Sequence, residues 1–252
     1  MPAITLDSLQ KAYGSVTALD RLSIEVDHGE LFGLLGPNGA GKTTTMEVLT
    51  GQRAPDEGHA RVLDVDPVDD PTGVREVVGI LPESASPPSF MTPREYFDFV
   101  GAVRGLDPAV VTDRAATWGE RLGFEGILDT LTTDLSRGQQ QKVMVAAAFL
   151  HEPELVFIDE PLANLDPIVQ EQVKSFLADY RAAGNTVLLS THDVDVAAEL
   201  CTRVGILYNG RLVADVRPAE LPADQRLLDV FVDRVEANES ARTEGSPSPQ
   251  AR

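Results

Sequence analysis

The chain of 252 residues contains one cysteine, Cys201, and no long apolar run. A single cysteine excludes an internal disulfide. No apolar stretch approaches the roughly 18–20 residues that a membrane-spanning helix requires, and no basic-then-apolar leader opens the sequence. Apolar residues nevertheless make up 42% of the chain, which is enough for a sizeable core. We therefore expect a soluble, cytoplasmic, globular protein.

Lysine is scarce and acid is abundant. Only Lys11, Lys42, Lys142 and Lys174 are lysines among the 21 basic residues, against 40 acidic residues and a net charge of −19. The negative electrostatic potential of such a chain disfavours nucleic-acid binding, because that binding needs clustered cations to neutralise phosphates. We therefore expect no nucleic-acid partner. The excess of carboxylates with so little lysine resembles proteins from salt-loaded cytoplasm, and it predicts a halophilic, haloarchaeal source.

Strands and helices alternate along the sequence. Short apolar runs at 31–35, 155–158 and 186–190 predict strands that are buried on both faces. Alternating patterns and turn residues predict further strands at 4–6, 22–26, 60–63, 204–208 and 211–215, and helices at 43–49, 167–183 and 223–235. The interleaving favours an α/β fold with a mainly parallel central sheet and an N-terminal antiparallel β subdomain.

The region from about 84 to 150 differs from its surroundings because it lacks convincing strands. Apolar residues recur there at helical spacing, so we expect an inserted helical subdomain. Residues 1–236 are then expected to form one domain that contains this insert. The remainder, 237–252, is rich in Ser, Pro, Glu and Gly and is predicted to be a disordered tail.

A phosphate-binding loop follows the first buried strand. The motif G-x-x-x-x-G-K-[ST] is complete, and its residues with the one that follows are Gly36, Pro37, Asn38, Gly39, Ala40, Gly41, Lys42, Thr43 and Thr44. Backbone N–H groups of such a loop and the start of the next helix hold phosphates. Lys42 is placed to reach the β- and γ-phosphates, and the Thr43 hydroxyl to ligate Mg²⁺. The sequence thus predicts a P-loop NTPase core that binds a nucleoside triphosphate and Mg²⁺; that the nucleotide is ATP follows from the family resemblance given below.

Two acids end the second buried strand. Asp159 at its carboxyl end is expected beside the phosphate loop, as a ligand of Mg²⁺. Glu160 is expected to face the γ-phosphate and to orient or deprotonate the attacking water.

The segment Leu135-Ser136-Arg137-Gly138-Gln139 resembles the LSGGQ signature of the nucleotide-binding subunits of ATP-binding-cassette transporters. Further matches follow the family order: Tyr13 for the adenine-stacking aromatic, Ala163-Asn164-Leu165-Asp166 for the D-loop, and His192 for the switch histidine. Glu83 stands where the family has a metal-binding glutamine. Glu83 and Arg137 together look like an exporter-type branch.

The resemblance implies that two subunits pack head to tail, as a homodimer or with a similar ATPase subunit. In that arrangement Ser136, Arg137, Gly138 and Gln139 of one subunit meet the γ-phosphate held by the other, and Asp166 couples the two sites. His192 binds the γ-phosphate and assists Glu160. The pair binds transmembrane permease subunits at the inner face of the membrane and powers transport, in this branch export.

Other readings stay open at this point. The first alternative is a non-transport member of the superfamily that acts on a cytosolic macromolecular complex, although such proteins usually carry two cassettes or a long coiled coil. A small-molecule phosphotransferase would have no use for the signature segment. Among aromatic residues after Glu83, Phe97 is expected in the core of the helical insert, whereas Phe90, Tyr96 and Phe99 are candidates for a groove that receives a permease helix.

Overall fold

The computed structural model describes residues 1–83, 86–160, 162 and 165–245, with side chains as far as residue 240. Its strands are β1 (Ile4–Tyr13), β2 (Val16–Val26), β3 (Leu31–Leu35), β4 (Glu57–Val62), β5 (Val78–Leu81), β6 (Leu155–Asp159), β7 (Thr186–Thr191), β8 (Arg203–Tyr208) and β9 (Arg211–Val216). Its α-helices are α1 (Lys42–Leu49), α2 (Pro71–Val77), α3 (Pro93–Val103), α4 (Pro108–Leu122), α5 (Arg137–Phe149), α6 (Pro167–Ala182), α7 (Val194–Leu200) and α8 (Leu227–Gly245).

The central sheet has the strand order β5-β6-β7-β3-β8-β9, and only β9 runs antiparallel to its neighbour. A separate antiparallel sheet has the order β2-β1-β4. The predicted α/β class, with a mainly parallel sheet and an N-terminal antiparallel sheet, is confirmed. Because β3 lies between β7 and β8, the loop that follows β3 emerges near the middle of the central sheet.

Successive side chains of the central strands enter two different cores. Leu31 and Leu35 of β3 pack with the helical side of the domain, whereas Phe32 and Leu34 pack with the antiparallel sheet and α1. All five residues of β3 are buried, as expected for a strand that is covered on both faces. The sheet is therefore fixed from two sides, and the loops at its carboxyl edge start from rigid positions.

The helical insert is built on strong local signals. Helix α3 begins at a capping box between Thr92 and Glu95, and α5 begins at another between Ser136 and Gln139. Phe97 is fully buried and stacks 6.1 Å from Phe124, so it belongs to the core, as the sequence predicted.

Several elements differ from the sequence-based expectation. Strands β1 and β2 are much longer than predicted, because register shifts and the positive φ of Ser8 break the alternation of polar and apolar residues. Helices α2 and α7 were not predicted. Each has seven residues and a single buried one, too few to produce a periodic signal.

The C-terminal helix also differs. Helix α8 starts four residues later than predicted and continues to Gly245, through a region that the sequence predicted to be disordered. The sequence predicted disorder for 237–252, and the structure describes 237–245 of that range as the end of α8. Residues 246–252 lie outside the described part of the chain, as do Ala163 and Asn164 of the D-loop segment. Within the described ranges, no helix is long and apolar enough to cross a membrane.

His151 lies at the junction between the insert and the central sheet. Its Nε2 is 3.1 Å from the carbonyl oxygen of Val78, while no hydrogen-bond partner among the described residues reaches its buried Nδ1. Burial, together with the positive charges of Arg104 and Arg114, lowers the pKa of His151 to about 4 from 6.5. Protonation of this ring therefore opposes folding.

We expect the free energy of unfolding to fall as the pH drops from 6.5 towards 4, because the unfolded chain binds the His151 proton first. The ring is only partly buried, so solvent screening leaves an effect of about 1–2 kcal/mol. His151→Gln keeps an amide donor and cannot titrate. Urea unfolding at pH 7.5 and 5 should show a smaller acid loss for this variant than for wild type. His59→Gln, at an exposed site, is the control. Equal acid losses in all three proteins would contradict the assignment.

Candidate functional site

The phosphate loop connects β3 to α1 and depends on close backbone approach. Gly41 has φ 108°, and a Cβ there would lie 2.5 Å from the carbonyl oxygen of Ala18. A Cβ on Gly36 would lie 2.3 Å from the carbonyl oxygen of Leu207. Glycine is therefore required at both positions by the shape of this chain alone. The loop is held between β2 and β8, and the first N–H groups of α1 face its interior.

Lys42 lies folded under this loop. It is 7% exposed, and its Nζ donates to the carbonyl oxygens of Gly36 at 2.7 Å and Pro37 at 3.3 Å. Burial lowers the pKa of Lys42, and the carboxylates of Glu160, Asp159 and Glu83 oppose that shift. The cation is thus desolvated, held by two weak acceptors and surrounded by acids, which favours an anionic ligand in the loop.

Asp159 and Thr43 form the second part of the site. The Thr43 hydroxyl donates to Asp159 Oδ2 at 3.3 Å, which links the start of α1 to the end of β6. Burial raises the pKa of Asp159, and the adjacent Glu160 raises it further. Lys42 lowers this pKa, but by less than burial raises it, so the carboxylate is only partly compensated by positive charge. Hydroxyl and carboxylate oxygens are the ligands that Mg²⁺ prefers, so these two residues fit that ion.

Glu160 is the most constrained acid of the site. It is 9% exposed and adopts φ 50°, a conformation that few non-glycine residues take. Oε2 accepts from the Thr191 hydroxyl at 3.1 Å, and Oε1 accepts from the backbone N–H of His192 at 2.9 Å. His192 Nδ1 lies 2.6 Å from the same Oε1. An ionised carboxylate only accepts, so this Nδ1 carries a proton, and the imidazole and carboxylate form one unit.

These groups line one cavity of about 340 Å³. It brings together most of the residues predicted for nucleotide and metal binding: Tyr13, Asn38, Gly39, Gly41, Lys42, Thr43, Thr44, Glu83, Asp159, Glu160 and His192. Tyr13 lies at the mouth, 41% exposed, and its hydroxyl donates to Glu47 at 3.3 Å. An exposed, tethered ring is suited to stacking on a base.

A second group of predicted residues lies elsewhere. In the described part of the chain, the cavity lining includes none of Ser136, Arg137, Gly138, Gln139 and Asp166. Ser136 instead caps α5: its Oγ accepts from the Gln139 N–H at 3.3 Å, and the Gln139 side chain accepts from the Ser136 N–H at 2.8 Å. Asp166 caps α6 through bonds of 3.1 Å to Ile168 and Val169. Within one chain, Ser136, Gln139 and Asp166 therefore serve as helix-capping residues.

Comparison with known proteins identifies the family. The family profile described as "ABC transporter" matches residues 19–163. Nod factor export ATP-binding protein I of Paraburkholderia xenovorans is 35% identical over 230 residues, which are 91% of this chain and 75% of that protein. The chain belongs to the ABC transporter family.

Two further relatives define the extent of this likeness. The probable multidrug ABC transporter ATP-binding protein YbhF of Escherichia coli is 33% identical over 220 residues, covering 87% of this chain. The chain spans only 38% of the length of YbhF. A solved ATP-binding subunit of an ABC transporter superposes with a TM-score of 0.86 at 29% identity, covering 92% of this chain and 99% of its own.

Some site residues of this ABC cassette were not singled out from the sequence. Thr191 positions Glu160, yet only its neighbour His192 was predicted from the sequence. Val16, Thr17 and Ala18 line the cavity from β2. Only Thr191 had a signal, namely a hydroxyl next to His192 at the end of a buried strand. The β2 residues reach the site through tertiary folding, which no local pattern reports.

Proposed function

We propose that the chain is the ATP-hydrolysing subunit of an ABC exporter, working in pairs beneath separate membrane-spanning subunits. The observation that carries the proposal is the position of Glu160, a buried carboxylate fixed by Thr191 and His192 at the wall of the phosphate cavity. A carboxylate so held is poised to take a proton from a water molecule next to the γ-phosphate. The other groups of the cavity bind the nucleotide.

Each remaining residue has a separate part in that reaction. Lys42 and the loop N–H groups hold the β- and γ-phosphates, and Tyr13 stacks on adenine. Thr43 and Asp159, with Glu83 beside them, hold Mg²⁺, which supplies positive charge to the phosphates. No three His, Cys, Asp or Glu side chains of the described residues converge on a metal, so the ion is expected to bind together with the phosphates. His192 orients Glu160 and faces the γ-phosphate with its exposed edge.

Pairing of two subunits supplies what one chain leaves open. Ser136 and Arg137 are exposed at the start of α5, and Gly138 faces open space: a Cβ there would meet no atom within 4 Å. The chain's own packing therefore gives no reason for glycine at position 138. Glycine at this position is explained if another surface approaches closely. In the head-to-tail pair, that surface is the triphosphate held by the partner subunit. Asp166 lies next to the same interface.

The helical insert offers a surface for the membrane partner. Val103 and Phe99 of α3 are 69% and 52% exposed, and Phe99 borders a groove of about 210 Å³ between α3 and α5. Tyr96 is half-buried in the same groove, while Phe90 is 75% exposed in the loop before α3. We infer that an amphipathic helix of a permease docks here, which places the subunit at the inner face of the membrane. The names of the similar proteins support export.

Glu160→Gln tests the chemical step. The amide cannot accept a proton, so we expect phosphate release to fall about 100-fold or more, while ATP binding persists. Because hydrolysis opens the pair, light scattering should detect a stable dimer when ATP is added. Glu25→Gln, an exposed acid on β2, makes the same charge change and should behave as wild type. Hydrolysis at the wild-type rate by Glu160→Gln would refute its assigned role.

Gly138→Ala tests the pairing. Alanine is the better helix former, so we expect the isolated chain to gain up to about 1 kcal/mol in the free energy of unfolding. ATP-dependent dimerisation and hydrolysis should nevertheless fall, because the added methyl group intrudes at the interface. Gly126→Ala, also facing open space, is the matched control. If Gly138→Ala dimerised and hydrolysed ATP normally, this helix start would not meet a partner.

Val103→Asp tests the membrane contact. Burying the new carboxylate against an apolar helix is unfavourable, so the permease should no longer bind the groove. A tagged variant expressed in its own host should therefore lose its co-purifying membrane protein after mild detergent extraction. Its ATPase activity as an isolated subunit should not change. Val110→Asp, 38% exposed on α4, is the control. Recovery of wild-type protein with ribosomes, or alone, would contradict the transport assignment.

A further inference from the structure

A second cavity lies on a different side of the domain, between α4, α6 and the segment that follows α5. Its volume is about 400 Å³, compared with about 340 Å³ for the nucleotide cavity, and the two share no lining residue in the described chain. Four aromatic residues, Trp118, Phe149, Phe176 and Tyr180, form its apolar wall, and we call it the aromatic cavity. No step of the proposed ATPase uses it.

The aromatic wall is rigid before any ligand arrives. Phe176 packs edge-on against Trp118 and against Phe149, with ring centroids 4.7 Å apart in both pairs. Phe149 also meets Tyr180 at 5.0 Å and an interplanar angle of 84°. The Tyr180 hydroxyl donates to the carbonyl oxygen of Pro153, which fixes that ring. A preformed apolar wall binds a flat ligand without the cost of ordering its own side chains.

One cation at the edge of the aromatic cavity keeps free hydrogen-bonding capacity. The Arg121 guanidinium lies 4.4 Å from the centroid of Phe176, and its nearest carboxylate partner in the described chain, Asp179, is 3.5 Å away. Charge-assisted N–H···O bonds are usually about 2.7–2.9 Å long, so this pair is loose. Arg114 differs, because the carbonyl oxygen of Leu150 and the Glu152 carboxylate occupy its donors.

We propose that the aromatic cavity is a binding site for small planar aromatic anions. The ring of the ligand packs against Tyr180 and the aromatic cluster, and its carboxylate or sulfonate accepts hydrogen bonds from Arg121. The location favours this class because Arg121, which lies over Phe176 and Trp118 and makes only one long contact with Asp179, keeps donors unused in a chain of net charge −19. A cationic or purely apolar ligand would leave the unused N–H donors of Arg121 without an acceptor.

The single tryptophan of the chain makes the test direct. Trp118 lines the aromatic cavity, so incorporation of 5-fluorotryptophan gives one ¹⁹F resonance that reports on it. We titrate the full chain with 2-naphthoate and with 2-naphthamide, which has the same ring and no charge. Naphthoate should shift the resonance saturably, with a dissociation constant below about 1 mM. The amide should bind about tenfold more weakly.

Arg121→Gln should weaken naphthoate about tenfold and leave the amide unchanged, whereas Arg234→Gln, an exposed change of equal charge on α8, should leave both unchanged. Thr117→Phe, which fills the mouth from an exposed position of α4, should abolish binding and serves if Arg121→Gln misfolds. The proposal is overturned if no saturable shift occurs below about 1 mM, if both ligands bind equally, or if an ATP analogue displaces naphthoate.

Discussion

The site depends on one buried cation among three carboxylates. Lys42 is the only lysine or arginine that lines the nucleotide cavity in the described chain, and Glu83, Asp159 and Glu160 line it too. Unscreened, this arrangement repels a triphosphate. The N–H groups of the loop offset this repulsion, and the divalent ion proposed here would offset more of it. The shape of the loop and the proposed Mg²⁺ thus answer the same feature, the negative balance of the cavity.

The carboxylates differ because their neighbours differ. Asp159 meets the Thr43 hydroxyl, and burial raises its pKa despite the charge of Lys42, which fits the metal ligand proposed for this position. Glu160 accepts three contacts from Thr191 and His192, which fix both of its oxygens. The His192 side chain is 60% exposed, whereas that of Glu160 is 10% exposed. The imidazole is thus the more accessible part of this unit. In the proposed reaction an arriving phosphate meets it first, which would link nucleotide binding to the position of Glu160.

The sequence predicted the parts of the fold and site that are local in the chain. The loop at 36–44 and the two acids at the end of β6 are contiguous motifs next to strongly apolar strands, and residues of both line the same cavity. Contacts made across the fold had no such signal. Helices α2 and α7 bury one residue each, and Thr191 meets Glu160 from another strand. The acidic composition still predicts a salt-adapted protein, and no feature of the fold bears on that prediction.

If two subunits pair as proposed, Ser136 serves both the isolated chain and the pair. A hydroxyl has two acceptor lone pairs and one donor. In capping α5, Ser136 uses its oxygen only as an acceptor, for the Gln139 N–H. The hydroxyl proton remains available at an exposed helix start, where the helix dipole favours an anion. Capping therefore orients the group without consuming the donor that a phosphate needs. The hydrogen bond that caps α5 therefore also orients Ser136 towards a phosphate that, in the proposed pair, the other subunit holds.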